Sequence, residues 1–124
     1  MRIDSVPNPL PGEVWRVDFN PTKGSETGKD RPAVVVSCAQ FESLPVRIVV
    51  PVTGWDDKHL RYVWRIPLEP SDTNGLSKRS AADCGQVRVV SMGRFSIQVG
   101  KLSAEDLAEV RAGLAIAMDI DTRI

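Results

Sequence analysis

The spacing of apolar residues changes once along this chain, and that change limits what it can fold into. From Gly12 to about residue 100 the apolar positions alternate or run together in short β-branched stretches. From Ser103 onward they recur every three or four residues. Val14-Trp15-Arg16-Val17-Asp18-Phe19 alternates like a strand with one buried face. Pro32 to Ser37 suits a strand covered on both faces, and Val46 to Val52 reads as another, ended by Thr53-Gly54. Arg61 to Ile66 alternates again, with Tyr62, Trp64 and Ile66 on one side and Arg61 and Arg65 on the other. Further strands are predicted from about Ala81 to Val90 and near Ser96 to Val99. Pro, Gly and polar residues make 20–30 and 70–78 loops. At the end, Ser103 is placed to cap a helix whose first turn carries Glu105 and Asp106, where the helix dipole favours negative charge. Leu107, Val110, Leu114, Ala117 and Met118 then share one face. The expectation is a mainly β chain, a strongly bent sheet or small barrel, with the C-terminal helix packed over it.

With 124 residues, 42% of them hydrophobic, the chain is the size of one domain with one core. Pro7, Pro9 and Pro11 mark 1–11 as a flexible leader ahead of a domain over 12–124. Cys38 and Cys84 are too few for a secreted disulfide framework and fit no zinc spacing, so reduced, half-buried thiols in a cytoplasmic protein are expected. One histidine, His59, further weakens a metal site, and no cofactor is expected. No apolar run is long enough to cross a bilayer. Lys plus Arg and Asp plus Glu balance at 16 each. A nucleic-acid partner would therefore require the cations to gather on one surface.

The segment Gly12-Glu13-Val14-Trp15-Arg16-Val17-Asp18-Phe19-Asn20-Pro21-Thr22-Lys23-Gly24-Ser25-Glu26-Thr27-Gly28-Lys29-Asp30-Arg31-Pro32 resembles the opening of MazF/PemK-type toxins. In that family a strand starting Gly-Asp-aliphatic-Trp/Tyr leads to a Gly-Ser-Glu loop and an Arg-Pro that begins the next strand. The likeness continues at Val50-Pro51-Val52-Thr53 and at Gln86-Val87-Arg88 with Arg94 following, and spans about Gly12 to Met118. It departs at Glu13, where Asp is usual, and at Ser91, where members often carry an acid. The resemblance implies a small SH3-like β-barrel of the MazF/CcdB kind, working as a homodimer. It also implies a metal-independent endoribonuclease that leaves 2′,3′-cyclic phosphate (or 3′-phosphate) and 5′-hydroxyl ends on single-stranded RNA. The implied partner is a cognate antitoxin whose acidic tail occupies the RNA groove.

Such cleavage needs the 2′-hydroxyl to attack phosphorus, a group to take its proton, a group to hold the charge of the phosphorane, and a group to protonate the departing 5′-oxygen. Arg31 suits the charge-holding task, because a guanidinium offers several donors in fixed geometry. The resemblance adds a proton-transfer role for it, which a pKa above about 12 makes a poor fit near neutrality. Thr53, at a strand end before Gly54, can donate to a phosphate while the glycine permits close approach. Glu26 is placed to accept the 2′-hydroxyl proton or to orient Arg31. Gln86 and Arg88, on one face of their predicted strand, with Lys29, Lys78 and Arg79, are candidate RNA contacts. Trp55, beside Thr53, is the candidate base-stacking ring, whereas Trp15 and Trp64 read as core. Arg61 and Arg65 are open to the same role but read first as solubilising charges, and His59 reads as a loop residue. The alternative is a CcdB-like toxin of the same fold that binds gyrase and has no enzymatic activity.

Overall fold

The computed structural model describes residues 7–121. Seven strands form an antiparallel sheet: β1 (Glu13–Asp18), β2 (Asp30–Val35), β3 (Val46–Gly54), β4 (Arg65–Leu68), β5 (Ser80–Asp83), β6 (Arg88–Ser91) and β7 (Phe95–Lys101). One helix follows, α1 (Ala104–Ala117). Hydrogen-bonded neighbours run β4-β5-β3-β2-β1-β7, with β6 also paired to β3, and this path of strands does not close on itself. β3 organises it. One of its edges holds β2, while the other holds β6 along Val46 to Val49 and β5 along Val52 to Gly54.

The buried-on-both-faces reading of the second strand holds, because the sheet has apolar layers on each side. Val34 and Val50 join Val14, Leu68 and Val110 in one layer, and Ala33, Val35 and Val49 join Trp15 and Phe95 in the other. Ser103 caps α1 as expected, its Oγ accepting from the Asp106 amide at 3.1 Å. The apolar face of α1 is shorter than its periodicity implied. Val110 and Gly113 are buried and Leu107 and Leu114 pack on the core, but Ala117 and Met118 are exposed. The surface formed by β4 and the turn after β5 covers the helix only as far as Leu114. Gly113 is needed for this close approach, since a Cβ there would lie 2.9 Å from Cys84 Sγ and from Ile66.

Two predicted strands are broken by side chains that capture backbone donors. Asp56 accepts from the Lys58 amide at 3.0 Å and winds Asp57–Arg61 into a 3-10 turn, so the alternation over Arg61 to Ile66 becomes a strand only from Arg65. Asp83 accepts from the Gly85 amide at 3.1 Å and turns Cys84–Gln86 into another, dividing the stretch from Ala81 to Val90 into β5 and β6.

Of the leader, residues 1–6 lie outside the described residues. Asn8 and Pro9 are bonded to Arg47, which is 2% exposed and meets no carboxylate within ion-pair distance among the described residues. Its Nε donates to Pro9 O at 2.8 Å, Nη1 to the carbonyls of Phe41, Leu44 and Val46, and Nη2 to Asn8 Oδ1.

Cys38 is exposed, whereas Cys84 is buried with Sγ 3.4 Å from Val110 O. Both depart from the half-buried state expected for them. Burial, and secondarily the Asp83 carboxylate, push the Cys84 pKa up to about 12. A thiol reagent at pH 8 is expected to label Cys38 quickly and Cys84 only on unfolding. The folded chain holds the Cys84 proton more tightly than the unfolded chain. The stability this contributes is therefore full below an unfolded thiol pKa of about 8.5, and is lost as pH rises toward 12. Replacing Arg47 with Ala should cost about 3 kcal/mol in a denaturant titration, since it leaves a cavity and buried carbonyls without donors.

Candidate active site

β2 and β3 bring the two central candidates together. Their register pairs Ala33 with Pro51, and continuing it two residues sets Arg31 opposite Thr53. Both line one cleft of about 700 Å³, and both also line an adjoining one of about 270 Å³. Arg31 is half-buried and its Nε donates to Gly28 O at 2.8 Å, which anchors the guanidinium to the β1–β2 loop. What approaches Gly54 is Lys78, whose Cε and Nζ would lie 3.0 Å from a Cβ at that position. The larger cleft gathers Arg31, Lys58, Arg61, Arg65 and Lys78 against Asp56 and Asp83. Five cations against two carboxylates is a local excess of three positive charges in a chain whose formal charge is zero. The cations are concentrated where the sequence could not show it.

The loop that carries Glu26 is held on the cleft by Gln86. The side-chain carbonyl of Gln86 accepts from the Thr27 amide at 2.9 Å, and its Nε2 donates to Ser25 O at 3.1 Å. Ser25, Thr27 and Gln86 all line the cleft. Glu26 is exposed and is not among the lining residues; its Oε1 accepts from the Lys23 amide at 2.6 Å. Lys29 is also exposed and outside the cleft lining, with a left-handed φ of 71°.

Gln86 and Arg88 do not share a strand face, because Gln86 ends the 3-10 turn and Arg88 begins β6. Arg88 instead donates to Phe19 O at 3.2 Å, with its guanidinium 5.6 Å from the Phe19 ring. Arg94 braces the same loop through Asp18 O and Asn20 O. Trp55 reaches the cleft, but its ring is covered by the Arg79 guanidinium at 4.4 Å, and Arg79 is paired with Glu69 at 2.7 Å. Arg79 itself is not among the cleft residues.

Arg61 and Arg65, read as solubilising charges, are cleft residues, and so is His59, which is 6% exposed. Asp83 and Tyr62 join them without having been singled out. Asp83 Oδ2 lies 3.4 Å from Arg65 Nε, the Arg65 guanidinium sits 4.3 Å from the Tyr62 ring, and Arg65 Nη1 is 3.4 Å from His59 Nδ1. The available signal for Asp83 was a lone acid inside an apolar stretch, Ala81 to Cys84. Among the described residues, no group of three or more His, Cys, Asp or Glu is arranged to hold a metal ion, and no helix is long and apolar enough to cross a membrane.

The family of PemK-like, MazF-like toxins of type II toxin-antitoxin systems matches residues 10–118. The chain belongs to this family. It is 34% identical to endoribonuclease MazF9 of Mycobacterium tuberculosis over 115 residues, covering 88% of this chain and 95% of that protein. The crystal structure of MazF (Form-I) from Deinococcus radiodurans superposes with a TM-score of 0.77 at 26% identity, covering 92% of this chain and 99% of that one. A MazE-MazF structure (Form-II) from the same organism gives 0.71 at 25% identity, covering 93% and 99%. For this member of the family, replacing Gln86 with Ala should raise hydrogen exchange at the Thr27 amide about 10-fold, the equivalent of one lost hydrogen bond on a surface loop.

Proposed function

We propose that this toxin is a sequence-specific, metal-independent endoribonuclease that cuts single-stranded RNA. The observation that carries this reading is the pairing of Arg31 and Thr53 in one cationic cleft, in a chain whose relatives are named endoribonucleases. A phosphate seated there meets the Arg31 guanidinium and the Thr53 hydroxyl. The neighbouring 2′-oxygen forms a bond to phosphorus as its proton leaves to a base, and negative charge grows on the equatorial oxygens. Arg31 and Thr53 stabilise that charge more strongly in the transition state than in the ground state, which is what lowers the barrier. The bond from phosphorus to the 5′-oxygen then breaks, and a proton reaches the departing oxygen. The products are a 2′,3′-cyclic phosphate, open to hydrolysis to a 3′-phosphate, and a 5′-hydroxyl.

Glu26 is the proposed proton acceptor or partner of Arg31. Its carboxylate is engaged by the Lys23 amide, so that role calls for a turn of the loop once RNA is bound. Lys78, Gln86 and Trp55 line the cleft and contact RNA there in this reading, while Lys29, Arg79 and Arg88 meet the strand beyond it. The gyrase-binding alternative finds less support, because the cleft is built for a polyanion and the relatives are named as nucleases.

The same reading includes an antitoxin whose acidic tail competes for the cationic cleft, as charge complementarity favours. The MazE-MazF structure from Deinococcus radiodurans supports such a partner. It includes a homodimer with RNA near the subunit interface, an SH3-like barrel as the class of the bent sheet, and a functional unit over 12–124 completed by the leader residues Asn8 and Pro9 that bond Arg47.

Incubation with a mixed-sequence RNA in EDTA tests this directly. Discrete cuts carrying 5′-hydroxyl ends are expected, with Arg31→Ala slowing cleavage at least about 100-fold and Thr53→Val about 10-fold. An intact RNA, or full activity in Arg31→Ala, refutes the assignment.

A further inference from the structure

His59 is the one histidine of the chain and sits on the 3-10 turn just after β3, on the wall of the cleft that holds Arg31 and Thr53. Its surroundings orient it from two sides. The Trp55 ring packs against it with centroids 5.5 Å apart. Arg65 Nη1 approaches Nδ1 at 3.4 Å. Arg65 in turn is held by Asp83 Oδ2 at 3.4 Å and by the Tyr62 ring, and Asp83 by the Gly85 amide. A guanidinium can donate but never accept, so this contact is a hydrogen bond only if Nδ1 carries the lone pair. The ring proton then belongs on Nε2, and the tautomer is set by the partner of the other nitrogen. Nε2 makes no hydrogen bond among the described residues, yet it is not one of the sealed, partnerless buried atoms. In a cleft residue only 6% exposed, what remains open is therefore a single N–H of fixed direction.

We propose that His59 is a specificity residue, its Nε2–H donating to an acceptor atom on the edge of one RNA base, with Arg65 and Asp83 as positioning residues. This rests on the RNA-cleaving reading above. A base is favoured over a phosphate at this end of the cleft because the exposed Tyr62 ring lines it and offers a surface beside which a base can lie, whereas the Trp55 ring is already covered by Arg79. The Asp83 carboxylate also offsets the Arg65 charge there, although Lys58 and Arg61 of the same turn, like Arg31 and Lys78, have no carboxylate at ion-pair distance among the described residues. A neutral, directional donor discriminates between bases, because a base without the acceptor leaves the N–H unpaired in a confined site.

The test measures kcat/KM for RNAs that differ in one base at a time around the cut, and binding of the same strands in all-2′-deoxy form, which lack the attacking hydroxyl. His59→Phe keeps a ring against Trp55 and removes the donor, and His59→Gln keeps an N–H. The Phe variant should lose about 10-fold of its preference at one base position, in cleavage and in deoxy-strand binding, which is the effect of one neutral hydrogen bond. The Gln variant should retain most of it. With the unaltered protein, exchanging the acceptor of the preferred base for carbon should reproduce the Phe loss, so the test does not depend on a variant folding. Unchanged base preference in the Phe variant, or indifference of the unaltered protein to the acceptor exchange, overturns the proposal. If the unaltered protein leaves RNA whole but a base preference in deoxy-strand binding disappears in the Phe variant, the nuclease reading fails while the role of His59 in base recognition stands.

Discussion

Antiparallel register between β2 and β3 is the constraint on which the site depends. It sets Arg31 opposite Thr53 across two strands whose central residues belong to the core. A slip of one residue would send every side chain of β2 to the other face. The valines at 34, 35, 49 and 50 resist that slip because they fill two separate apolar layers. The pair is thus placed by the hydrophobic packing of its strands, next to the β1–β2 loop. Loop geometry enters afterwards, through the bond from Arg31 to Gly28 O and the two bonds from Gln86.

Electrostatics then differ along the cleft. One part offers cations whose charge is not offset, Arg31 and Lys78, and suits an oxyanion. Around Tyr62 and His59, Asp83 pairs with Arg65 and rings line the wall beside Lys58 and Arg61. The two environments lie in one cavity but favour different chemical groups of the same polymer. A chain with no net charge can in this way concentrate positive potential where it matters without attracting polyanions over its whole surface.

Much of this was legible beforehand. The alternating and β-branched stretches located β1, β2, β3 and β7, and Ser103 located the start of α1, because those elements obey the period of their own backbone. Arg31 and Thr53 were found through the motif around them. What escaped was decided by single side chains acting over two residues: Asp56 and Asp83 each took a nearby amide and bent a predicted strand into a turn. The first of those turns also delivers His59 and Arg61 to the cleft, whereas Asp83 reaches it at the end of β5, opposite Arg65. The place of Arg65 on the cleft was hidden for a different reason. Its partners stand six and eighteen positions away in sequence, and no local pattern reports on them.

Arg47 draws a different consequence from the same chain. Its guanidinium bonds to the carbonyls of Phe41, Leu44 and Val46 on one side and to Asn8 and Pro9 on the other. The stretch ahead of β1 thereby acts as a plug that supplies acceptors to a charge sealed inside the protein. A shortened protein starting at Gly12 would keep every strand and still leave that cation two acceptors short, so the smallest self-sufficient unit begins upstream of the first strand.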